Sequence, residues 1–395
     1  MAVCRVALQG RRGYGLVAAR PLAQGEVIST EMPLVCVQSQ ATQQLAPACL
    51  HCLRCCGTPC SALRRALSLV GEVDHACGCG KGNLYAGGRT CEGGCGGVFC
   101  SPVCAQHCRD GAHGRLCGSP CAARLRELAS THSDAVMLAA LCVAEVVLAT
   151  EQEHALCAAD DSRPTSEAPP PPLAELAQRQ RDRLLGQLYS VPWEDIPHWS
   201  CASPGLPTHL ARAARYRRVR QCVVQALSSL LREVFPAAHW AALTAPESVS
   251  EIMGMLDTSC VLPWIPRTRL NALCSDAAAR RIDGHVKPAE LVPCVHEAMV
   301  REAEDAEATI CARQRHDKTA RRAEPLWRRD VFPPIDAAAL YPTLGQMNHS
   351  CAANVGYTWQ DDSSTVTLTA SHAIAAGALS STLTGPSKAS STVWQ

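Results

Sequence analysis

Fourteen of the chain's 25 cysteines fall between Cys49 and Cys121. That stretch is rich in glycine and has little apolar periodicity, so its own side chains cannot supply an ordinary core. Something else must hold it together. The opening run, MAVCRVALQGRRGYG, is too short in apolar residues for a secretory signal. A reducing compartment, cytosol or nucleus, is therefore expected, and a disulfide framework does not persist there. Clustered thiols in such a chain point to metal.

Four ligand pairs can be read in the segment: Cys49-x2-Cys52, Cys91-x3-Cys95, Cys100-x3-Cys104 and His113-x3-Cys117. Each spacing lets two side chains reach one tetrahedral zinc ion at about 2.0–2.3 Å. Seven thiolates and one imidazole make two closed sites. A closed site has no open position for water, so both zinc ions are expected to be structural. His107 and Cys108 are alternative ligands with a poorer spacing. Cys55, Cys56, Cys60, Cys77 and Cys79 are further thiols, either a third site or spare; spacing leaves both open. Outside the block, Cys142, Cys157, Cys201, Cys222, Cys260, Cys274, Cys294 and Cys311 stand singly and read as small buried hydrophobes.

The rest of the chain is long enough for two or three domains. Residues 1–47 alternate β-branched and small residues and break at Gly10, Gly13, Gly15 and Pro21, a strand pattern. From 122 to about 330 apolar residues recur at helical spacing, with a Pro-rich spacer at 160–172. The basic run ARYRRVR reads as a solvated helix face. The net charge of +1 gives no case for nucleic acid. The most apolar stretch, Ala135 to Ala149, is interrupted by Glu145 and reads as a buried helix, so no membrane span is expected. Loops and short strands return over 331–385, and the tail 386–395 is low in apolar content and expected to fray.

Two further motifs are weak singly. Gly13-Tyr14-Gly15 is most often a turn, although glycine does let backbone approach a ligand closely. Asn348-His349-Ser350-Cys351 could merely satisfy a buried loop. A hydrolase with Ser350 as nucleophile lacks the Gly-x-Ser-x-Gly elbow and an evident acid to orient the histidine. Together and in order they say more. A Gly-x-Gly-Leu, then PLAQGEVISTEMPLV, four Cys/His pairs with FCSPVC, a helical insert and ALYPTLGQMNHSCAANV resemble the SET-and-MYND lysine methyltransferases. The resemblance covers the first 120 residues and about 330–378.

It implies an α+β fold, in which a split, β-rich SET domain is interrupted by a MYND-type zinc finger (48–121) and a long helical insert (122–330). It implies that Cys49, Cys52, Cys100 and Cys104 share one zinc, and Cys91, Cys95, His113 and Cys117 the other. The Asn-His-Ser-Cys segment would lie in a pseudoknot-like crossing. Gly13, Tyr14 and Gly15 would bring backbone against S-adenosylmethionine, and Asn348 and His349 would hold the cofactor's amino-acid and adenine ends. The acceptor would be a protein lysine, and no catalytic acid–base side chain is required. The finger could take a Pro-rich peptide, the basis of a second, non-enzymatic adaptor reading. After Gly377 the chain departs from the family pattern. Ala378, Leu379 and Ser380 replace an acidic turn, and Thr384 stands where a pore tyrosine is expected. Cys351 is the last cysteine, so the family's third zinc is not expected. The 38 residues between Cys52 and Cys91 also exceed the usual spacing.

Overall fold

The computed structural model describes residues 2–7, 14–45, 47–56, 89–158, 171–196, 207–265, 335–350, 352–360 and 363–382. Gly13, Cys60, Cys77, Cys79, Cys201, Cys274, Cys294, Cys311, Cys351, Thr384, most of the Pro-rich spacer and the tail lie outside them.

The largest sheet is made from both ends of the chain. Strands β1 (Val3–Ala7) and β2 (Tyr14–Ala18) form an antiparallel hairpin with Val3 opposite Ala18. Strand β3 (Val27–Glu31) follows, then β4 (Val35–Gln38) and a short helix α1 (Gln40–Leu45). The finger contributes β5 (Arg89–Thr90) and β6 (Val98–Phe99), and β7 (Trp264–Ile265) lies in the described part of the insert. The C-terminal part supplies β8 (Ile335–Leu340), β9 (Asn348–His349), β10 (Val355–Trp359), β11 (Val366–Ala370) and β12 (Leu379–Thr382). The order across the large sheet is β1-β2-β12-β10-β11-β3, with β9 also paired to β12. Residues more than 300 apart in sequence are thus neighbours, as in Thr367 opposite Thr30. The fold is α+β, with helices and small sheets segregated along the chain.

A second sheet, β4-β8-β7, forms the wall between two cores. On β8, Ala338 and Leu340 pack into the helical core, while Ala339 and the following Tyr341 pack beneath the large sheet. Both faces are covered, which explains a strand of small apolar residues without polar alternation.

The finger adds helices α2 (Pro102–Asp110) and α3 (Ala112–Cys117). Among the described residues the insert contributes α4 (Ala122–His132), α5 (Asp134–Ala158), α6 (Leu173–Leu184), α7 (Pro207–Val234) and α8 (Pro246–Ser259). Helix α5 is buried on nearly every side over Ala135–Leu148, as its all-round apolar sequence requires. Glu145, the charge that interrupts it, is half-buried and accepts the Ala112 backbone N–H. Among the described residues, no helix is long and apolar enough to cross a membrane.

Two expectations are corrected here. The ARYRRVR run is not wholly a solvated face. Arg215, Arg217 and Arg218 are exposed, but Arg220 turns inward. Its guanidinium donates to the carbonyls of Trp193 and Ile196 at 2.8 and 2.7 Å and lies 5.0 Å from the centre of the Trp193 ring. A planar fork with five donors can serve two carbonyls and a ring at once, which helical spacing does not reveal. Of the scattered cysteines, Cys142 is buried, but Cys222 is exposed on α7. There the apolar stripe is already supplied by Val223, Val224 and Leu227.

Two carboxyls lie against the β8 wall. Asp336 on β8 and Asp134 at the start of α5 are half-buried, and burial pushes both carboxyls up to about 6. For Asp336 the nearby Asp134 charge adds to that effect. A carboxyl whose folded pKa is raised favours the fold fully below its unfolded pKa, about 4, and loses that contribution as pH rises through about 6. Asp336→Asn should therefore stabilise the protein at pH 7.5 by roughly 1–2 kcal/mol and change little at about pH 4. Urea midpoints at the two pH values check this; equal gains at both would contradict it.

Candidate functional site

Local structure brings the four Cys/His pairs into two quartets. Cys49 and Cys52 lie on the hairpin 47–56. Its turn is set by Leu53, whose φ of 56° is in the left-handed region. That conformation costs a non-glycine residue about 1–2 kcal/mol, but the Leu53 side chain is buried against Ala48, Ile265 and Ile335. Cys100 follows β6, and Cys104 is in the first turn of α2. That helix begins well: Ser101 is the N-cap, its hydroxyl accepts the Cys104 N–H at 3.1 Å, and Pro102 takes the first position. Cys91 and Cys95 lie in the turn joining β5 and β6. His113 and Cys117 are four apart on α3 and so share one face.

The distances fit a tetrahedral metal. A tetrahedron with metal–sulfur bonds of about 2.3 Å has edges of about 3.8 Å. In the first quartet Cys52 Sγ is 3.5 Å from Cys100 Sγ, which is 3.5 Å from Cys104 Sγ. In the second, Cys91 Sγ is 3.3 Å from His113 Nε2 and 3.7 Å from Cys117 Sγ, and Cys95 Sγ is 3.8 Å from the same nitrogen. Within each quartet all ligand atoms lie within 4.8 Å of one another. Both quartets are therefore compatible with zinc. Burial holds the His113 pKa below its usual value, which favours the neutral imidazole that binds metal. A Cβ on Gly93 would come within 2.6 Å of Cys117 Sγ, so the turn carrying Cys91 and Cys95 needs glycine there to close on α3. His107 and Cys108 belong to neither quartet: His107 stacks on His51 with ring centres 5.1 Å apart, and Cys108 is buried in the finger's small core.

The finger is tied to the sheets by hydrogen bonds to its backbone. Ser364, before β11, donates its N–H to the Cys52 carbonyl at 2.9 Å. The Cys36 thiol on β4 reaches the His51 carbonyl at 3.7 Å, and Gln38 accepts the Ala48 N–H at 2.9 Å.

The second candidate region surrounds β12. Leu379 and Ser380 pair with Val17 and Leu16 of β2, whereas Ser381 and Thr382 pair with Asn348 and His349 of β9. Thr382 is also opposite Val355 of β10. A strand residue has only two edges, so β9 and β10 lie on opposite sides of β12. Between His349 and Val355 the chain therefore crosses β12. Because β2 and β10 flank β12, β9 follows β2 along the same edge. Tyr14 and Gly15 lie at the end of β2 that points toward this handover, just beyond the paired Leu16. Ser350 serves the crossing as a turn former, its hydroxyl accepting the Ala352 N–H at 3.1 Å.

One positioning residue was invisible to sequence reasoning. Both carboxylate oxygens of Glu31 accept backbone N–H groups, from Leu344 at 2.8 Å and Thr343 at 3.0 Å. They cap the 3-10 turn Leu344–Gln346, which leads directly into Asn348. The partners are more than 300 residues apart in sequence, and no local pattern signals such a pair. At the same crossing, the Ser380 hydroxyl is fully buried with no hydrogen-bond partner among the described residues.

No protein-family model matches the chain, and no curated protein matches it.

Proposed function

We propose that this chain is a protein of the SET-and-MYND methyltransferase type, binding S-adenosylmethionine where β2 hands its edge of β12 to β9. Its acceptor is a protein lysine, and two structural zinc ions hold the finger. The observation that supports the reading is the pairing around β12, whose one edge meets β2 at Leu379–Ser380 and β9 (Asn348–His349) at Ser381–Thr382, with β10 on the other edge. The residue types suit the cofactor. Gly15 is buried and has no side chain to exclude a ligand from its backbone, and Asn348 offers both a donor and an acceptor. Gly13, which completes the first motif, lies outside the described residues.

When bound, the sulfonium supplies the methyl group for direct transfer to a neutral amine. The chain's task is to bind, align and exclude water. A free lysine has a pKa near 10.4, and a narrow desolvated channel beside a cation lowers it. Alignment of amine, methyl and sulfur then supplies most of the acceleration, with no acid–base residue.

A second reading, a non-catalytic adaptor whose finger takes a Pro-rich peptide, is favoured by one specific observation. No tyrosine follows Tyr357 in the sequence. Nor can Tyr341 lend its hydroxyl: that group donates to the Ser364 carbonyl at 2.6 Å and accepts from Trp359 Nε1 at 3.0 Å inside the core.

Both readings keep the cofactor site, so binding is the first test. Calorimetry with S-adenosylhomocysteine should show saturable binding. Asn348→Ala should weaken it roughly tenfold, the worth of one to two hydrogen bonds. Equal affinity in the two proteins, or no binding by either, would remove the proposed site.

A further inference from the structure

We propose that Met32 is a site of reversible oxidation by peroxides, with a seat for the sulfoxide oxygen built by the hydroxyls of Thr365 and Ser364. Met32 directly follows β3 and is 41% exposed, whereas Met253, Met255 and Met347 are buried. Its thioether is a weak hydrogen-bond acceptor. Two hydroxyls nevertheless converge on it. Thr365 Oγ1 donates to Met32 Sδ at 2.9 Å, and Ser364 Oγ is aimed at the same sulfur from 3.9 Å, the far limit of such a bond. The Thr365 hydroxyl is fixed in direction, because it accepts from Ser363 Oγ at 3.0 Å and so must give its own proton elsewhere. Ser364 is fully buried, and its hydroxyl faces a poor and distant acceptor.

Oxidation changes what these donors face. In the step, the O–O bond of hydrogen peroxide breaks and an S–O bond forms. The sulfur is oxidised by two electrons and the peroxide is reduced. The oxygen that joins the sulfur gives its hydrogen to the departing hydroxide, which leaves as water. The product is a polar, chiral sulfoxide in place of an apolar thioether. Methionine is unbranched and has three rotatable bonds, so it can set the new oxygen between the two hydroxyls. Ser364 gives the seat a consequence. Its N–H donates to the Cys52 carbonyl of the finger at 2.9 Å, and its carbonyl accepts from the Tyr341 hydroxyl in the core at 2.6 Å. A strong acceptor for its side chain holds the same residue by a third group. Oxidation at Met32 therefore tightens the joint between finger and sheet.

The test treats the folded full chain with a small excess of hydrogen peroxide, digests it and examines the Met32 peptide. Sulfoxide epimers are told apart by two reductases, each of which accepts one epimer. A methionine without a seat gives the two epimers in near-equal amounts. At Met32 one epimer should exceed the other at least about fivefold, the worth of one hydrogen bond. Thr365→Val should bring the ratio to parity, and Thr365→Ser, which keeps the hydroxyl, should preserve the bias. Hydrogen exchange on the undigested chain reads the joint. The Ser364 amide should exchange about fivefold more slowly after oxidation, again one hydrogen bond, and should recover when the matching reductase is added. Met32→Leu should show no such slowing under the same peroxide. Equal epimers in the unmodified chain, or a bias that survives Thr365→Val, would overturn the seat. An oxidised chain whose Ser364 amide exchanges as fast as before, or a slowing that persists in Met32→Leu, would overturn the link to the finger.

Discussion

Stripping metal from the full chain should release about two zinc ions per chain, the number set by two four-coordinate quartets, and should unfold the finger while the helical core survives. Among the described residues the finger's core is small: Val98 and Phe99 are its large buried apolar side chains, and the rest of the buried cluster is alanine and cysteine. Burying two such side chains stabilises by about 3–6 kcal/mol. A structural zinc site contributes about 10–16 kcal/mol of apparent binding energy. Metal therefore dominates here. The helical core has no such dependence, since α5 and its neighbours bury a continuous apolar interior. The boundary between the two should be visible by hydrogen exchange. The Ser364 amide, which donates to the Cys52 carbonyl, should lose protection on chelation, while amides in the middle of α5 should not. Recovery of less than one zinc per chain, with the thiols oxidised in pairs, would defeat the metal reading. Protection at Ser364 that survives chelation would show that the finger does not support the sheet.

Different parts of this architecture were legible for different reasons. The metal pairs could be read because chelation imposes short spacings: three intervening residues place His113 and Cys117 on one helical face. Pairing between distant pairs needs the fold, and the Cβ-free approach of Gly93 to Cys117 shows how closely that fold is set. Helix α5 was legible because a run of apolar residues broken only by Glu145 has nowhere to go but inside. What could not be read was long-range. Glu31 capping the turn before Asn348, and Thr382 lying between His349 and Val355, join residues whose local sequences carry no mark of each other. Arg220 was misjudged for a related reason, because its burial depends on where Trp193 and Ile196 happen to lie, not on its own neighbours.

On the proposed methyltransferase reading, this chain should methylate lysine at least about 10²–10³ more slowly than one whose residues 378–395 are replaced by a family-type end, here called the repaired chain, the effect of losing one preorganised donor. In the resemblance, a tyrosine hydroxyl and nearby carbonyls collar the methyl group and favour a transition state in which charge moves from sulfur to nitrogen. Thr384 is too short to place a hydroxyl there from the same backbone position. Ser380, fully buried opposite Leu16, has a hydroxyl with no hydrogen-bond partner among the described residues. An unsatisfied buried hydroxyl costs about 1–3 kcal/mol. Replacing residues 378–395 with a family-type end, including a Glu-Glu-Leu turn after Gly377, Thr384→Tyr and downstream cysteines, should therefore do two separable things. It should raise stability by roughly 1–3 kcal/mol, through an apolar residue at position 380. It should also raise methyl transfer from labelled S-adenosylmethionine to a protein or peptide array. Ser380→Ala alone should reproduce the stability gain without the activity. If the unmodified chain transfers methyl groups as fast as the repaired one, the missing tyrosine is irrelevant and the enzymatic reading stands without it. If the repaired chain is stable, binds S-adenosylhomocysteine and still transfers nothing, the adaptor reading is the one to keep.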